Sequence, residues 1–369
     1  MEASNTTNIS LNQTGCATTD TVAETIIKTV AQCALLLASL VGNALVILVI
    51  YRVKSMRTTV NYFLMNMAVS DLIIPAVVLP RDILETSSGS VAWRLNGGLG
   101  VATCKFVYFL SDITPSVSVL SLVFMTCDRF CAVAFPFKAS LIPSAVRRSL
   151  IAITWLVSMA FFAPYFYSFE LVPGENGDVF CRLTWGDRIH IIFITVICLT
   201  FIVIPFALLA SIYTAILVIL YRNRGTGEEM ERERKRREKV NKTVMKLALA
   251  IVLLFALCWG PYNGVIFTIA FVWQNKIPRT CSFSTIWFIA RYLAYSTSAL
   301  NPLVLFALNE NYRNGLKRVL GIRRSAGNDE TTSRYLRRKD KRKPSDLRMV
   351  TSASLLKSCD ASKTATDSL

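Results

Sequence analysis

"MTCDRFCAVAFPF", Met125–Phe137, sets an acid and an arginine side by side at the end of a long apolar run. Charges at membrane depth are expensive, about 2.5–3.5 kcal/mol each even on the lenient insertion scale. The reason for Asp128 and Arg129 lies in what surrounds them. The chain of 369 residues is 53% hydrophobic yet carries a formal net charge of +17, two properties that must be segregated along it. Seven apolar stretches recur, near residues 27–51, 61–84, 101–133, 148–168, 189–221, 240–273 and 283–307. Each is long enough to cross a hydrocarbon core as a helix, which takes about 20 residues. The predicted fold is an all-α membrane protein, a seven-transmembrane helix bundle.

The basic residues orient it. The segments 52–60, 129–149, 222–246 and 313–369 hold 32 of the 41 Lys and Arg. Positive segments stay in the cytosol, so the C-terminus is expected inside and, after seven spans, the N-terminus outside. Three glycosylation sequons, at Asn5, Asn8 and Asn12, fall on the outer side. The first 25 residues lack an apolar centre, so the first span is expected to act as its own membrane signal. The charge is explained by lysines and arginines facing anionic inner-leaflet lipid, and nucleic-acid binding is not expected. Four regions follow: an outer tail (1–26), a seven-span core (27–308), a short amphipathic helix (309–320) and a basic, Ser/Thr-rich tail (321–369). The run "GTGEEMERERKRREKVNK" reads as a charged helical extension between spans five and six.

Most of the ten cysteines fall within spans or on the inner side. Cys16, Cys104, Cys181 and Cys281 fall outside, where four thiols allow three pairings. A single histidine, His190, argues against multi-histidine metal sites and histidine acid–base catalysis. Polar groups inside spans mark function by default. Here they are Asp71, Asn43, Ser118, Ser298 and Asn301, either a cation site of oxygen ligands or a hydrogen-bonded packing network. Pro164, Pro205, Pro261 and Pro302 each withdraw a backbone donor and permit a bend. Trp259 stands two residues before one of them.

The landmarks, in order, resemble the rhodopsin-like (class A) G-protein-coupled receptors. They are Gly42-Asn43; Asn61, Ala68 and Asp71; Trp93 before Cys104; Asp128-Arg129-Phe130; Trp155; Pro205 with Tyr213; Phe255, Cys258, Trp259 and Pro261; and Asn301-Pro302. The resemblance covers about residues 27–320. It implies that Arg129 pairs with Asp128 at rest and meets a heterotrimeric G protein when span six swings out, with Tyr213, Phe255, Trp259, Pro261, Asn301 and Pro302 as switch positions. It implies a Cys104–Cys181 disulfide, leaving Cys16 and Cys281 as a second pair or two free thiols. It also implies an allosteric sodium ion held by Asp71, Ser118, Ser298 and Asn301, with no other cofactor, and an arrestin dock on the phosphorylated tail. Three departures stand out. Leu305 replaces the tyrosine the family swings inward, Asn241 stands where many members carry an acid, and Pro115 should distort span three.

Tyr295 occupies the place of the retinal lysine, so light sensing is excluded. Amine receptors use an aspartate eighteen residues before the arginine; Ser111 stands there, with Asp112 one step and about 100° further round the helix. No nucleophile–base pair suggests an enzyme, and no internal repeat suggests a transporter. Arg81, Asp82, Ser111, Asp112, Trp259, Arg291, Tyr292 and Tyr295, with Glu170 and Asp178 in the second outer loop, form the predicted ligand set. Both charge signs among aromatics suit a short peptide, and the general cast of the motifs resembles neuropeptide receptors. Receptors for a small amine or lipid remain the alternative, and a seven-helix transporter or channel the rival from another class.

Overall fold

The computed structural model describes residues 20–134, 143–174, 177–222, 228–274 and 281–322, and within them the side chains of all but 220–222, 228–245 and 281–282. Helix α1, Val22–Arg52, opens on a capping box in which Thr21 Oγ1 accepts from Glu24 N at 3.2 Å and Thr21 N donates to Glu24 Oε2 at 2.8 Å. Helix α2, Thr59–Ser88, widens into a π turn over Ile74–Val78, where Pro75 withdraws a donor from the ladder. Helix α3 runs from Gly97 to Ala134 without a break at Pro115, contrary to the expected distortion. Hydroxyls on either side bind backbone carbonyls there: Thr114 Oγ1 donates to Leu110 O at 2.9 Å and Ser116 Oγ to Asp112 O at 3.0 Å.

Helix α4, Ser144–Ser168, loosens into a turn at Ala163 and Pro164 and leads into a hairpin the sequence reading did not foresee. Its strands, β1 (Phe169–Pro173) and β2 (Val179–Leu183), pair antiparallel with Leu171 opposite Cys181. The Cys104–Cys181 disulfide ties β2 to α3. Helix α5, Asp187–Ile219, has a π turn at Leu199–Val203 just before Pro205. Helix α6, Glu228–Phe267, includes the charged extension and ends in a further π turn, Thr268–Val272. Helix α7 spans Cys281–Leu308 and α8 Glu310–Val319.

Among the described residues, the segments α1 to α6 are long and apolar enough to cross a membrane. Helix α7 is equally long but buries Ser296, Thr297, Ser298 and Asn301, which lowers its hydropathy without changing its place in the bundle. Large apolar side chains such as Leu37, Ile204 and Leu257 point outward from the bundle, as lipid-facing residues do. The core between the helices is layered. Val46, Phe63, Leu122, Ile251 and Leu305 fill one end, and Phe109, Phe162, Tyr165 and Phe201 the other, under the hairpin. Asn309 caps α8 by accepting from Asn311 N at 3.0 Å. A Cβ on Gly315 would lie 2.6 Å from Val49 Cγ1, so the missing side chain is what lets α8 close on α1. By their contacts, the described residues up to Leu320 form one unit.

Candidate functional site

Beneath the hairpin, α2, α3, α5, α6 and α7 enclose a cavity of about 490 Å³. Of the expected ligand set, Arg81, Ser111, Asp112, Trp259, Arg291 and Tyr295 line it. Asp82 and Tyr292 do not. They lie behind it around a small space of about 10 Å³, and Tyr292 donates to Ala31 O at 3.4 Å, which makes it a packing residue. Glu170 on β1 and Asp178 before β2 are exposed and stand outside the lining, to which the hairpin contributes Phe169, Phe180, Cys181, Arg182 and Leu183 instead. Ser111 and Asp112 both reach the cavity, since its wall is broad enough to take two successive positions of α3.

The charges at this end are mostly satisfied by one another. Arg81 pairs with Asp82 at 3.2 Å and with Glu85 at 2.7 Å, while Arg291 bridges Asp82 directly and reaches Glu85 at 3.6 Å. The Arg81 guanidinium also lies 5.6 Å from the Trp93 ring and 5.8 Å from Tyr108. Glu85 was missed by the sequence reading, although its i+4 spacing from Arg81 is a readable signal. Asp112 differs. It accepts a hydrogen bond from the Tyr165 hydroxyl at 2.6 Å and has no cationic partner among the described residues. Also missed were Tyr165, Trp185, Phe193, Tyr262 and Trp287, which supply much of the aromatic wall. Tyr262, three residues after Trp259, is the one that helical spacing could have found.

From the cavity floor an aromatic column descends. Trp287 lies 5.6 Å from Tyr262, Tyr262 5.7 Å from Trp259, Trp259 5.8 Å from Phe255, and Phe255 6.4 Å from Phe206. Pro261 lies within this stretch of α6. Beside the column, Asp71 Oδ2 accepts from Asn301 Nδ2 at 2.8 Å and Oδ1 from Ser118 Oγ at 3.4 Å. Ser298 is engaged elsewhere, donating to Tyr295 O at 2.8 Å and accepting from Ser39 Oγ at 2.9 Å. The Asn301 Oδ1 atom is buried without a partner. A space of about 10 Å³, room for about one water, is lined by Asp71, Thr114, Ser118 and Ser298. A carboxylate and several hydroxyl residues around so small a space fit a hard cation with oxygen ligands. Pro302 sits one residue on, its ring against Gly42, where a Cβ would approach to 2.9 Å.

At the opposite end, Arg129 donates to Asp128 Oδ2 through Nε at 3.1 Å and a terminal nitrogen at 2.5 Å. Asp128 is buried and Arg129 half-buried, so the adjacent acid screens a cation that faces the bundle's end. The Tyr213 hydroxyl lies 3.2 Å from Thr126 Oγ1. Leu305 is packed in the core at this end, and the buried Tyr312 donates to Asn61 Oδ1 at 3.1 Å. Cys16, Asn5, Asn8, Asn12 and the tail from residue 323 lie outside the described residues, as do the side chains of Asn241 and Cys281.

This layout, an aromatic and charged cavity at one end of seven helices and an acid–arginine pair at the other, is that of a multi-pass membrane receptor. Residues 42–305 match the family model described as "7 transmembrane receptor (rhodopsin family)", and the chain belongs to that family, a class of receptors and not of enzymes. It is 28% identical over 289 residues to "Probable G-protein coupled receptor 19" of Rattus norvegicus, which covers 77% of this chain and 65% of that one. It is 29% identical over 294 residues to the "QRFP-like peptide receptor" of Branchiostoma floridae (78% and 75% covered). It is also 29% identical over 297 residues to the "Substance-P receptor" of Aquarana catesbeiana (79% and 69%). The chain thus spans just under two thirds of the rat relative's length.

Proposed function

We propose that the protein is a plasma-membrane receptor, N-terminus outside, that binds an extracellular neuropeptide or peptide hormone and activates a heterotrimeric G protein. It is not an enzyme on this reading. The observation that carries it is the cavity of about 490 Å³ with both charge signs and a continuous aromatic wall, open beneath the hairpin. Its size and mixed polarity suit the end of a short peptide, and relatives named as receptors for peptides support the class. A peptide pressing on Trp259 from above favours whichever position of α6 it contacts better, and shifts the population by that difference alone. Movement of the lower part of α6 then opens the bundle end beside Arg129, which exchanges Asp128 for groups on the G protein.

Cells expressing the full chain, challenged with a peptide library and an amine and lipid panel, test the reading by nucleotide exchange. Peptide-driven exchange that Arg129→Ala abolishes is expected; substrate flux without exchange would make the protein a transporter. The cluster around Asp71 is proposed to hold a sodium ion through Asp71, Ser118 and Asn301, with Ser298 in support, stabilising the resting state. Sodium should lower agonist affinity in the wild type and not in Asp71→Asn; no sodium effect in the wild type leaves only a packing network. For the tail, phosphates of about −1.5 to −2 charge each would create the arrestin dock, so truncation after Gly321 should abolish agonist-driven internalisation. Unchanged internalisation would refute that dock.

A further inference from the structure

At the Arg129 end, some basic side chains are engaged within the fold and others are not. Arg57 donates to Tyr51 O at 2.7 Å, and Arg313 to Ala307 O at 2.6 Å, each at the end of a helix. Arg147 lies 4.1 Å from the centre of the Tyr62 ring. Arg52, Lys54 and Arg318 differ. All three are exposed, and among the described residues none of them has an ion pair or a side-chain hydrogen bond. With Ser55 they line one groove of about 630 Å³ between the end of α1, the turn after it and α8. Gly315 creates the groove. Its missing side chain lets α8 close on Val49, and one turn further along each helix stand Arg318 and Arg52.

Three cations that share a groove without a carboxylate repel one another, and an anion held between them relieves the repulsion. The surroundings say which anion. On α1, Leu37, Val41, Ala44 and Leu48 precede Arg52 at helical spacing, and Leu48 lines the groove itself. Leu37 and Val41 are exposed, so this face is an apolar track that lipid covers and that ends at Arg52. Past Arg318, Leu320 and Ile322 are exposed too. A soluble anion answers the charges but not the track. A phosphodiester headgroup offers one negative charge, whereas each phosphomonoester adds about −1.5 to −2 and three acceptor oxygens. Guanidinium forks take such oxygens two at a time. We infer that the α1–α8 groove binds the phosphomonoester-bearing headgroup of an inner-leaflet phospholipid, through Arg52, Lys54 and Arg318, with the acyl chains along α1. The inference goes beyond the peptide reading and takes from it only the orientation that puts this end in the cytosol.

The test titrates the purified full chain in detergent micelles, where no leaflet is imposed and the outcome is independent of the receptor reading. Bound lipid is counted by native mass spectrometry. The probes are dioctanoyl phosphatidylinositol bisphosphate, dioctanoyl phosphatidylserine and the free inositol trisphosphate headgroup. The bisphosphate lipid should bind at least about tenfold more tightly than either of the others. Arg52→Gln, Lys54→Gln and Arg318→Gln should each weaken it about fivefold. Lys317→Gln removes the same charge from the neighbouring exposed position outside the groove, and should weaken it less than about twofold. Equal affinity for the two lipids would overturn the site as diffuse attraction to a basic surface, and this comparison needs only the wild type, so it stands even if a variant fails to fold. A loss in Lys317→Gln as large as in Arg318→Gln would overturn it in the same way. Free headgroup binding as tightly as the lipid would remove the acyl track. Displacement of the lipid by a peptide of residues 343–354 phosphorylated at Ser345, Thr351 and Ser352, at concentrations below those of the lipid, would assign the groove to the chain's own tail and overturn the lipid assignment.

Discussion

The two ends of the bundle both hold acids beside arginines, yet they hold them differently. Beneath the hairpin, Asp82 on α2 is gripped by Arg291 from α7 and by its neighbour Arg81, so the network staples two helices together. At the other end, Asp128 and Arg129 are sequence neighbours on one helix, joined at 2.5 Å, and no described residue of another helix shares the pair. A charge pair between helices resists their separation. A pair within one helix does not, and its partners can be exchanged without moving α3. The hairpin end is thus built to keep its shape around an occupant, and the Arg129 end to change partners.

The largest effect should come from breaking the staple. Arg291→Ala leaves Asp82, buried to 2% exposure, without its cross-helix cation. Removing one member of a buried pair costs about 3–5 kcal/mol, so thermal stability of the detergent-solubilised protein and its surface expression should fall sharply. Adding Asp82→Asn, which removes the orphaned charge, should recover most of the loss. If Arg291→Ala alone is as stable as the wild type, the network is not a staple and the contrast between the ends disappears.

A smaller effect sharpens the other side of the contrast. Leu305 is packed in the core of the Arg129 end, where the Tyr213 hydroxyl already meets Thr126. Leu305→Tyr adds a hydroxyl whose only new partner would be found when α6 and α7 rearrange near Tyr213. A hydrogen bond gained in the active arrangement alone is worth about 0.5–1.5 kcal/mol, raising agonist potency by up to about tenfold. Combining it with Tyr213→Phe should cancel the gain. A double variant that keeps all of it would show that the hydroxyl contact is not the cause.

Much of this was legible in the sequence, for reasons that differ from residue to residue. The spans could be read because apolar runs and basic segments alternate, and α7 could be read despite its polar face because 283–307 is still an apolar run. The helices begin and end beyond the apolar windows, as at Val22 and Ser88, because their first and last turns stand in polar surroundings. The hairpin was not legible: strands of five residues around Cys181 carry too short an alternation to separate from a loop. The π turn at Ile74–Val78 was hidden too, although Pro75 was a signal that a donor would be missing there. At the site, Arg81, Asp112, Arg291 and Tyr295 could be placed by position on their helices. Glu170 and Asp178 could not, because loop acids face solvent or cavity according to a pairing register that only the fold reveals.

The most direct measurement joins the two ends in one variant. Asp128→Asn removes the acid that holds Arg129 and leaves the cavity untouched, since the pair lies at the far end of α3. If the ends are two faces of one equilibrium, nucleotide exchange without ligand should rise, and the affinity of an activating peptide for the cavity should rise with it, because coupling between sites is reciprocal. The account predicts both changes together. A rise in ligand-free exchange with peptide affinity unchanged would contradict it, for the cavity and the Arg129 end would then not report on the same transition.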